Sequence, residues 1–298
     1  MTTRTFPYVT LDVFTDTRFG GNPLAVFTAA EGLSDAEMQA LAAEMNYSET
    51  TFVLPPSDPA NTARVRIFHR TAEMPFAGHP NVGTGYVLAG LRPEAGDVLR
   101  FEEIAGLVEI RIARDAEGRP TGAEIDAPQP LQVLGTLPAE AIAPCIGLSV
   151  ADLVTNVHVP TRASVGVDFV LVEVTADALS RALPDIATYR QVAEEHLGAG
   201  DRLSVFLYSR DGNQVRARMF SPLSGTWEDP ATGSANAALG ALLLFFTEYD
   251  QISYEVTQGV EMGRPSTLAV RAWRTADGSI RASVGGSCVP VLRGEATL

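Results

Sequence analysis

A chain of 298 residues has room for two domains of ordinary size, and 46% hydrophobic with 19% charged residues is the balance of a folded globular protein. A formal charge of −14 argues against a nucleic-acid partner or an anionic membrane surface. Arginine supplies every Lys/Arg-type cation, so no lysine is present to form a Schiff base with a carbonyl or with pyridoxal phosphate, and two cysteines, Cys145 and Cys288, are too few for a disulfide framework or a paired-cysteine metal site.

The first residues, Met1-Thr2-Thr3-Arg4-Thr5-Phe6-Pro7, lack the apolar run of a secretory signal, and a cytoplasmic location is expected. Residues 8–14 alternate as a strand, and residues 24–27 form its neighbour across Gly20-Gly21-Asn22-Pro23. Ser34-Asp35-Ala36-Glu37 is a capping box, followed by Met38, Leu41, Ala42 and Met45 at helical spacing. Residues 51–54 and 63–68 are expected strands, Pro80 is expected to open a helix to Leu91, and strands resume at 107–112 and 122–125. In the second half, residues 167–174, 203–208 and 215–220 predict strands and 186–197 a helix stopped by Gly198. Residues 234–246 predict a helix that is apolar on every face and must therefore be enclosed, most simply by a curved, mostly antiparallel sheet. Its longest apolar run, residues 237–246, is about half of what spans a bilayer, so no membrane span is expected.

Two stretches match. Arg66-Ile67-Phe68 leads to His79-Pro80-x-x-Gly83-Thr84, and Arg218-Met219-Phe220 leads to Asp229-Pro230-x-x-Gly233-Ser234. The expectation is a duplicated domain in which each copy runs a strand into a loop and then into a proline-opened helix. The break between halves is placed at Pro128-Gln129-Pro130, giving residues 1–127, completed by 285–298, and residues 128–284, with the active site between them. Two helix N-termini sharing one cleft could hold an anion by backbone N–H groups and dipoles, through Gly78, Gly233 and Ser234.

Glu49, in Asn46-Tyr47-Ser48-Glu49-Thr50-Thr51-Phe52, is the first candidate for general acid/base. Apolar surroundings would raise its pKa and let it exchange a proton near neutrality. His79 and Asp229 stand beside the two helix starts, where a helix cap is the plainer role for each. No Gly-x-Gly-x-x-Gly follows a strand, and His69, His79, His158 and His196 show no metal-ligand spacing, so neither a nucleotide cofactor nor a metal is expected.

Four motifs in order resemble the PhzF-like family, the phenazine-biosynthesis isomerase group with the diaminopimelate epimerase-like fold. They are Asp12-Val13-Phe14 with Gly21-Asn22-Pro23-Leu24-Ala25-Val26; Ser48-Glu49-Thr50 with Phe52; Met74-Pro75-Phe76-Ala77-Gly78-His79-Pro80; and Glu228-Asp229-Pro230-Ala231-Thr232-Gly233-Ser234-Ala235. The resemblance spans nearly the whole chain. It implies an α+β fold of two pseudo-symmetric domains, each a barrel-like sheet around a central apolar helix, and often a homodimer. It also implies Glu49 as the catalytic acid/base, with His79, Asp229 and Ser234 lining the site. In the epimerase relatives a cysteine at each repeat helix is the base; His79 and Asp229 are read here in those places, which disfavours a two-thiol racemase.

The expected activity is a cofactor-independent isomerisation of a small cyclic or unsaturated carboxylate; the family's known substrate is a dihydro-hydroxyanthranilate. The alternatives are an epimerase using Glu49 and Asp229, and a bilobal small-molecule binding protein without chemistry.

Overall fold

The computed structural model describes residues 3–198, 200–212 and 214–298; Met1 and Thr2, which open the segment read for a leader, lie outside the described residues. The chain is mixed α+β, dominated by sheet, and divides into two units, one of residues up to Asp126 with Gly285–Leu298 and the other Ala127–Val284. Among the described residues no helix is long and apolar enough to cross a membrane.

Unit 1 contains β1 (Thr5–Val13), β2 (Asn22–Phe27), α1 (Asp35–Met45), β3 (Glu49–Leu54), β4 (Ala63–His69), β5 (Glu73–Met74), α2 (Gly78–Leu91), β6 (Val98–Glu103), β7 (Gly106–Arg114) and β8 (Pro120–Asp126). β1 and β2 pair antiparallel, β2 and β3 parallel, β3 and β4 antiparallel, β4 and β6 parallel, and β6, β7 and β8 antiparallel. The two parallel steps fall where α1 and α2 carry the chain across, as parallel pairing requires. The C-terminal strand returns to pair with both β1 and β8, which closes an eight-stranded barrel.

Inside that barrel lies α2, with every residue buried except Tyr86, Gly90 and Leu91. Glycine permits the fit: a Cβ on Gly83 would stand 2.5 Å from Leu24 Cδ2, and one on Gly85 2.5 Å from Ile110 Cγ2. The Gly83-Thr84-Gly85 run thus serves close packing, and Thr84 shares a 2.9 Å hydroxyl contact with Thr51. Outside the barrel, the capping box of α1 forms as read, the Glu37 carboxylate accepting from Ser34 N–H at 2.8 Å. Met38, Leu41 and Ala42 pack that helix against Phe27, Phe52 and Phe68, whose rings stack at 4.9 Å and meet edge-on at 5.4 Å.

Unit 2 holds β9 (Gln132–Thr136), α3 (Ala139–Cys145), β10 (Thr161–Ser164), β11 (Asp168–Glu173), α4 (Ala176–Arg181), α5 (Ile186–His196), β12 (Val205–Asp211), β13 (Gln214–Ser221), β14 (Thr226–Asp229), α6 (Gly233–Phe245), β15 (Gln251–Gln258), β16 (Ser266–Arg274) and the start of β17 (Ile280–Thr297). β10 and β11 pair antiparallel, β11 and β12 parallel, β12 and β13 antiparallel, β13 and β15 parallel, β15 and β16 antiparallel. Residues 127–131 bond to Ala282 and Ile280 on one side and to Val165 on the other. The apolar helix α6 is buried at all but Ser234 and Phe245 and shares one core with Phe169, Leu171, Val256 and Val270. On the opposite face of the sheet, α3, α4 and α5 bury Ile142, Leu179, Tyr189 and Val192 against Val170, Val172, Val205 and Leu207.

One sequence expectation is corrected. A proline does not open both helices: α2 starts at Gly78, two residues before Pro80, and α6 starts at Gly233, three after Pro230. Ser266 Oγ holds the Pro230 carbonyl at 3.0 Å, and Gln258 Oε1 takes Thr232 N–H at 3.1 Å, so the chain is pinned outside the helix until residue 233.

Candidate functional site

In unit 1 the sequence motifs converge on one end of α2. Glu49 is the first residue of β3, half-buried, with Oε2 3.4 Å from His79 Nδ1. Ser48 donates to Asn22 Oδ1 at 3.1 Å, which ties the Ser48-Glu49 segment to the Gly21-Asn22-Pro23 segment at the start of β2. Asp12 accepts from Phe19 N–H at 2.7 Å and holds the loop between β1 and β2, in which Phe14, Phe19 and Gly21 have left-handed backbone. At Gly21 a side chain is excluded twice over, by a φ of +61° and by Val13 O 2.4 Å from the ideal Cβ.

His79, second in α2, is fully enclosed, and burial drives its pKa down to about 3, with a hydrogen bond to the Pro23 carbonyl opposing. Its Nε2 is buried without a partner, so the Pro23 bond belongs to Nδ1. A carbonyl only accepts, which fixes the neutral tautomer: Nδ1 carries the proton and Nε2 presents a bare lone pair. The Glu49–His79 contact is therefore a carboxyl group beside a neutral imidazole, not an ion pair. Gly78 precedes His79, and the N-cap Ala77 has no side chain to occupy the N–H groups of this turn.

Unit 2 gathers a second set. Asp229 ends β14 and is buried, its Oδ2 accepting from Thr232 Oγ1 at 2.6 Å. Gln258, the last residue of β15, donates to Asp229 O at 2.8 Å and to Thr232 Oγ1 at 3.0 Å, and accepts from Thr232 N–H and from Asn236 Nδ2, the latter at 3.0 Å. Gly233 and Ser234 follow as the first two residues of α6, Ser234 half-buried. Glu49, Gly78 and His79 thus meet in unit 1, and Asp229, Gly233 and Ser234 in unit 2.

The two motifs do share geometry, in a different register from the one read in the sequence. Arg66 grips Glu73 with Nε and Nη2 at 2.7 and 2.6 Å; Arg218 grips Glu228 with the same two nitrogens at 2.8 and 2.9 Å. Each guanidinium also lies over the phenylalanine two residues on, at 5.1 Å from Phe68 and 4.8 Å from Phe220. Asn81 and Asn236 each donate to the N-cap carbonyl four residues back, at 3.1 and 2.9 Å, and each keeps a buried Oδ1 without a partner. A Cβ at Gly85 would strike Ile110 of β7, and one at Gly240 would strike Val270 of β16. Gly78-His79-x-Asn81 therefore matches Gly233-Ser234-x-Asn236, and His79 corresponds to Ser234. Asp229 faces Met219 across its strand pair as Met74 faces Ile67, so its counterpart is Met74. The turn Pro222–Ser224 lengthens the second copy before its glutamate and produced the His-Pro/Asp-Pro coincidence.

Neither thiol belongs to these sets. Cys145 lies in α3 and Cys288 in β17; burial pushes Cys145 up to about 12 and Cys288 further, which leaves both as protonated packing groups. Sequence reasoning passed over Asn22 and Gln258. Asn22 stood in a quoted motif, whereas Gln258 ends a strand that the alternation of Ile252, Tyr254 and Val256 with polar residues marks, but nothing there points to a role for Gln258.

The phenazine biosynthesis-like family model matches residues 11–294. A trans-2,3-dihydro-3-hydroxyanthranilate isomerase of Pseudomonas aeruginosa is 35% identical over 98% of this chain and 99% of its own length. An uncharacterised isomerase of Mesorhizobium japonicum is 37% identical over 97% of both. Among solved structures, a PhzF-family phenazine biosynthesis protein of Bacillus anthracis superposes with TM-score 0.87 at 27% identity, covering 99% of this chain and 100% of that one. A protein of Pseudomonas aeruginosa described as a predicted epimerase superposes with TM-score 0.77 at 34% identity, over 98% and 99%.

Proposed function

The chain belongs to the phenazine biosynthesis-like family and is an isomerase, and from that premise we propose that it moves one proton within a small cyclic or unsaturated carboxylate without a cofactor. Glu49 takes a proton from a carbon next to the unsaturation and returns it at another carbon, so atoms and electrons balance with no oxidant or co-substrate. The carrying observation is the Glu49 carboxyl group 3.4 Å from an enclosed imidazole. A neutral ring does not lock the carboxylate into an ion pair, so His79 assists Glu49 in the transfer. Asp229 orients the substrate or assists transfer. Gly78, Gly233 and Ser234 bind the carboxylate through backbone N–H groups and the Ser234 hydroxyl.

The matched Arg–Glu forks, paired asparagines and common strand order support a duplication into two pseudo-symmetric domains. We also propose a cytoplasmic homodimer. The similar Pseudomonas enzyme is named for trans-2,3-dihydro-3-hydroxyanthranilate, and that compound or a close cyclic analogue is the proposed substrate class.

The test is to add that compound and a panel of small unsaturated carboxylates and record ultraviolet spectra over time. A moving double bond produces new absorbance, and Glu49→Gln slows it by roughly 10²- to 10⁴-fold. No spectral change with any member, or equal rates in the variant, refutes the proposal. Epimerisation is the second reading, favoured by a carboxyl group in each set and by the structure described as an epimerase. It predicts loss of optical rotation at constant absorbance.

A further inference from the structure

Glu103 is a buried carboxyl group that the proposed chemistry does not use. It ends β6, on the same strand face as the fully buried Leu99 and Phe101, and neither carboxyl oxygen has a hydrogen-bond partner. Burial pushes its pKa up to about 8, with Asn81 of α2 the one opposing influence. Just beyond it, Ala105 N–H bonds to Pro75 O at 3.1 Å, which fastens the β6–β7 turn to the segment that leads into Gly78 and His79.

Unit 2 shows what this place does when fully bonded. Arg64 pairs with Glu102 in the parallel β4–β6 register, which puts Glu103 beside Val65; Ala217 pairs with Gln258 in the parallel β13–β15 register. Since Arg66 matches Arg218, Glu103 and Gln258 occupy the same position. Gln258 both donates and accepts there, through four hydrogen bonds that hold Asp229 O, Thr232 and Asn236 at the start of α6. A carboxylate can only accept, while a protonated carboxyl group, like the amide, does both.

We infer that Glu103 is a positioning residue of the unit 1 half-site: as the uncharged acid it takes the place of Gln258 and seats the first turn of α2, which presents Gly78 and His79. The ionisable groups on the surrounding elements are otherwise engaged. His79 of α2 is neutral, Glu73 of β5 is forked to Arg66 of β4, and Glu102 turns away to accept from Ser57, Asp58 and Asn61. β7 places Gly106 opposite Glu103, Arg64 of β4 sits beside Glu102, and Arg100 of β6 pairs with Glu109 of β7 at the surface.

The sign follows from linkage. A carboxyl group raised in the folded state favours folding below its ordinary pKa of 4.5, and that contribution is lost as pH rises toward about 8. The experiment compares the wild type with Glu103→Gln by urea unfolding from pH 5 to 9. The folding constant of the wild type should fall relative to the variant by about tenfold per pH unit up to about pH 8 and then level off. The wild-type KM should rise above pH 8 while that of the variant stays level. A stability difference independent of pH, or Glu103→Gln as damaging as Glu103→Ala at pH 7, overturns the assignment. Should Glu103→Gln fail to fold, carbon-13 NMR of the wild-type glutamate carboxyls decides: one group titrating near 8 supports it, and all titrating below 6 overturns it. Seating of α2 bears on the half-site proposed above, yet the unfolding and NMR readouts need no turnover, so failure of the isomerase reading leaves them interpretable.

Discussion

Replacing Arg218 with methionine tests the packing of the second Arg–Glu fork. The Arg218 side chain is 5% exposed and that of its partner Glu228 11%; its guanidinium also donates to Leu179 O and Ala182 O at 3.0 and 2.8 Å. Methionine fills the volume but leaves a carboxylate without its cation in a region that water barely reaches, a loss of about 3–5 kcal/mol. Two carbonyls lose donors as well, at roughly 1 kcal/mol each. Arg66→Met removes a fork of the same shape in a wetter place, since its partners Glu73 and Asp35 are 24% and 84% exposed. Water compensates much of that change, and about 1–2 kcal/mol is expected. Both tryptophans, Trp227 and Trp273, lie in unit 2, so urea unfolding followed by tryptophan fluorescence reports that unit and far-ultraviolet circular dichroism reports both. The prediction is a fluorescence midpoint lowered much more by Arg218→Met than by Arg66→Met. Equal losses, or less than about 1 kcal/mol for Arg218→Met, would refute the reasoning from burial.

Three further outcomes follow from the same geometry. His79 is held well below its ordinary pKa of 6.5, so the stability it contributes is complete above 6.5 and lost as pH falls toward 3; thermal unfolding of His79→Gln should fall less steeply between pH 6.5 and 4, by about 1.4 kcal/mol per pH unit, and an identical slope contradicts the neutral ring. Gly122→Ala puts a Cβ 2.0 Å from Gly286 O, so β8 and β17 must part; loss of soluble folded protein is expected, and a wild-type melting temperature contradicts it. Gly240→Ala meets Val270 Cγ1 at 2.6 Å, a side chain that can shift, so overpacking should cost about 1–3 kcal/mol by chemical unfolding.

Much of the architecture was legible because it rests on local physics. A helix apolar on every side could only be enclosed, and α6 is; Ser34 and Glu37 announced α1 by chemistry within one turn. The helix starts were misjudged because they are fixed from a distance: Gln258 and Ser266 hold residues 229–232 in place, and neither is visible from the Asp-Pro pair itself. The same blindness misplaced the register between the two motifs. Arg-x-Phe was found, but the glutamates that complete each fork lie at different spacings, and equivalence became visible only through hydrogen bonds and the burial of Asn81 and Asn236. Glu49 and His79 were singled out as candidates by residue type and neighbours, while the tautomer that makes Nε2 an acceptor follows only from Pro23 and the enclosure. β9 and the strands after residue 250 were not predicted: β9 is fully exposed, whereas β15 and β16 alternate with period 2 and were overlooked.

The central claim is that Glu49 carries the migrating proton. It is tested most directly by running the reaction of trans-2,3-dihydro-3-hydroxyanthranilate in deuterated water and measuring product mass and deuterium position. With the wild type, product should form with deuterium only at the newly protonated carbon, in the fraction of turnovers in which the Glu49 proton exchanges with solvent before its return, and Glu49→Gln should give neither product nor exchange. Deuterium incorporation at the wild-type rate in Glu49→Gln would contradict it.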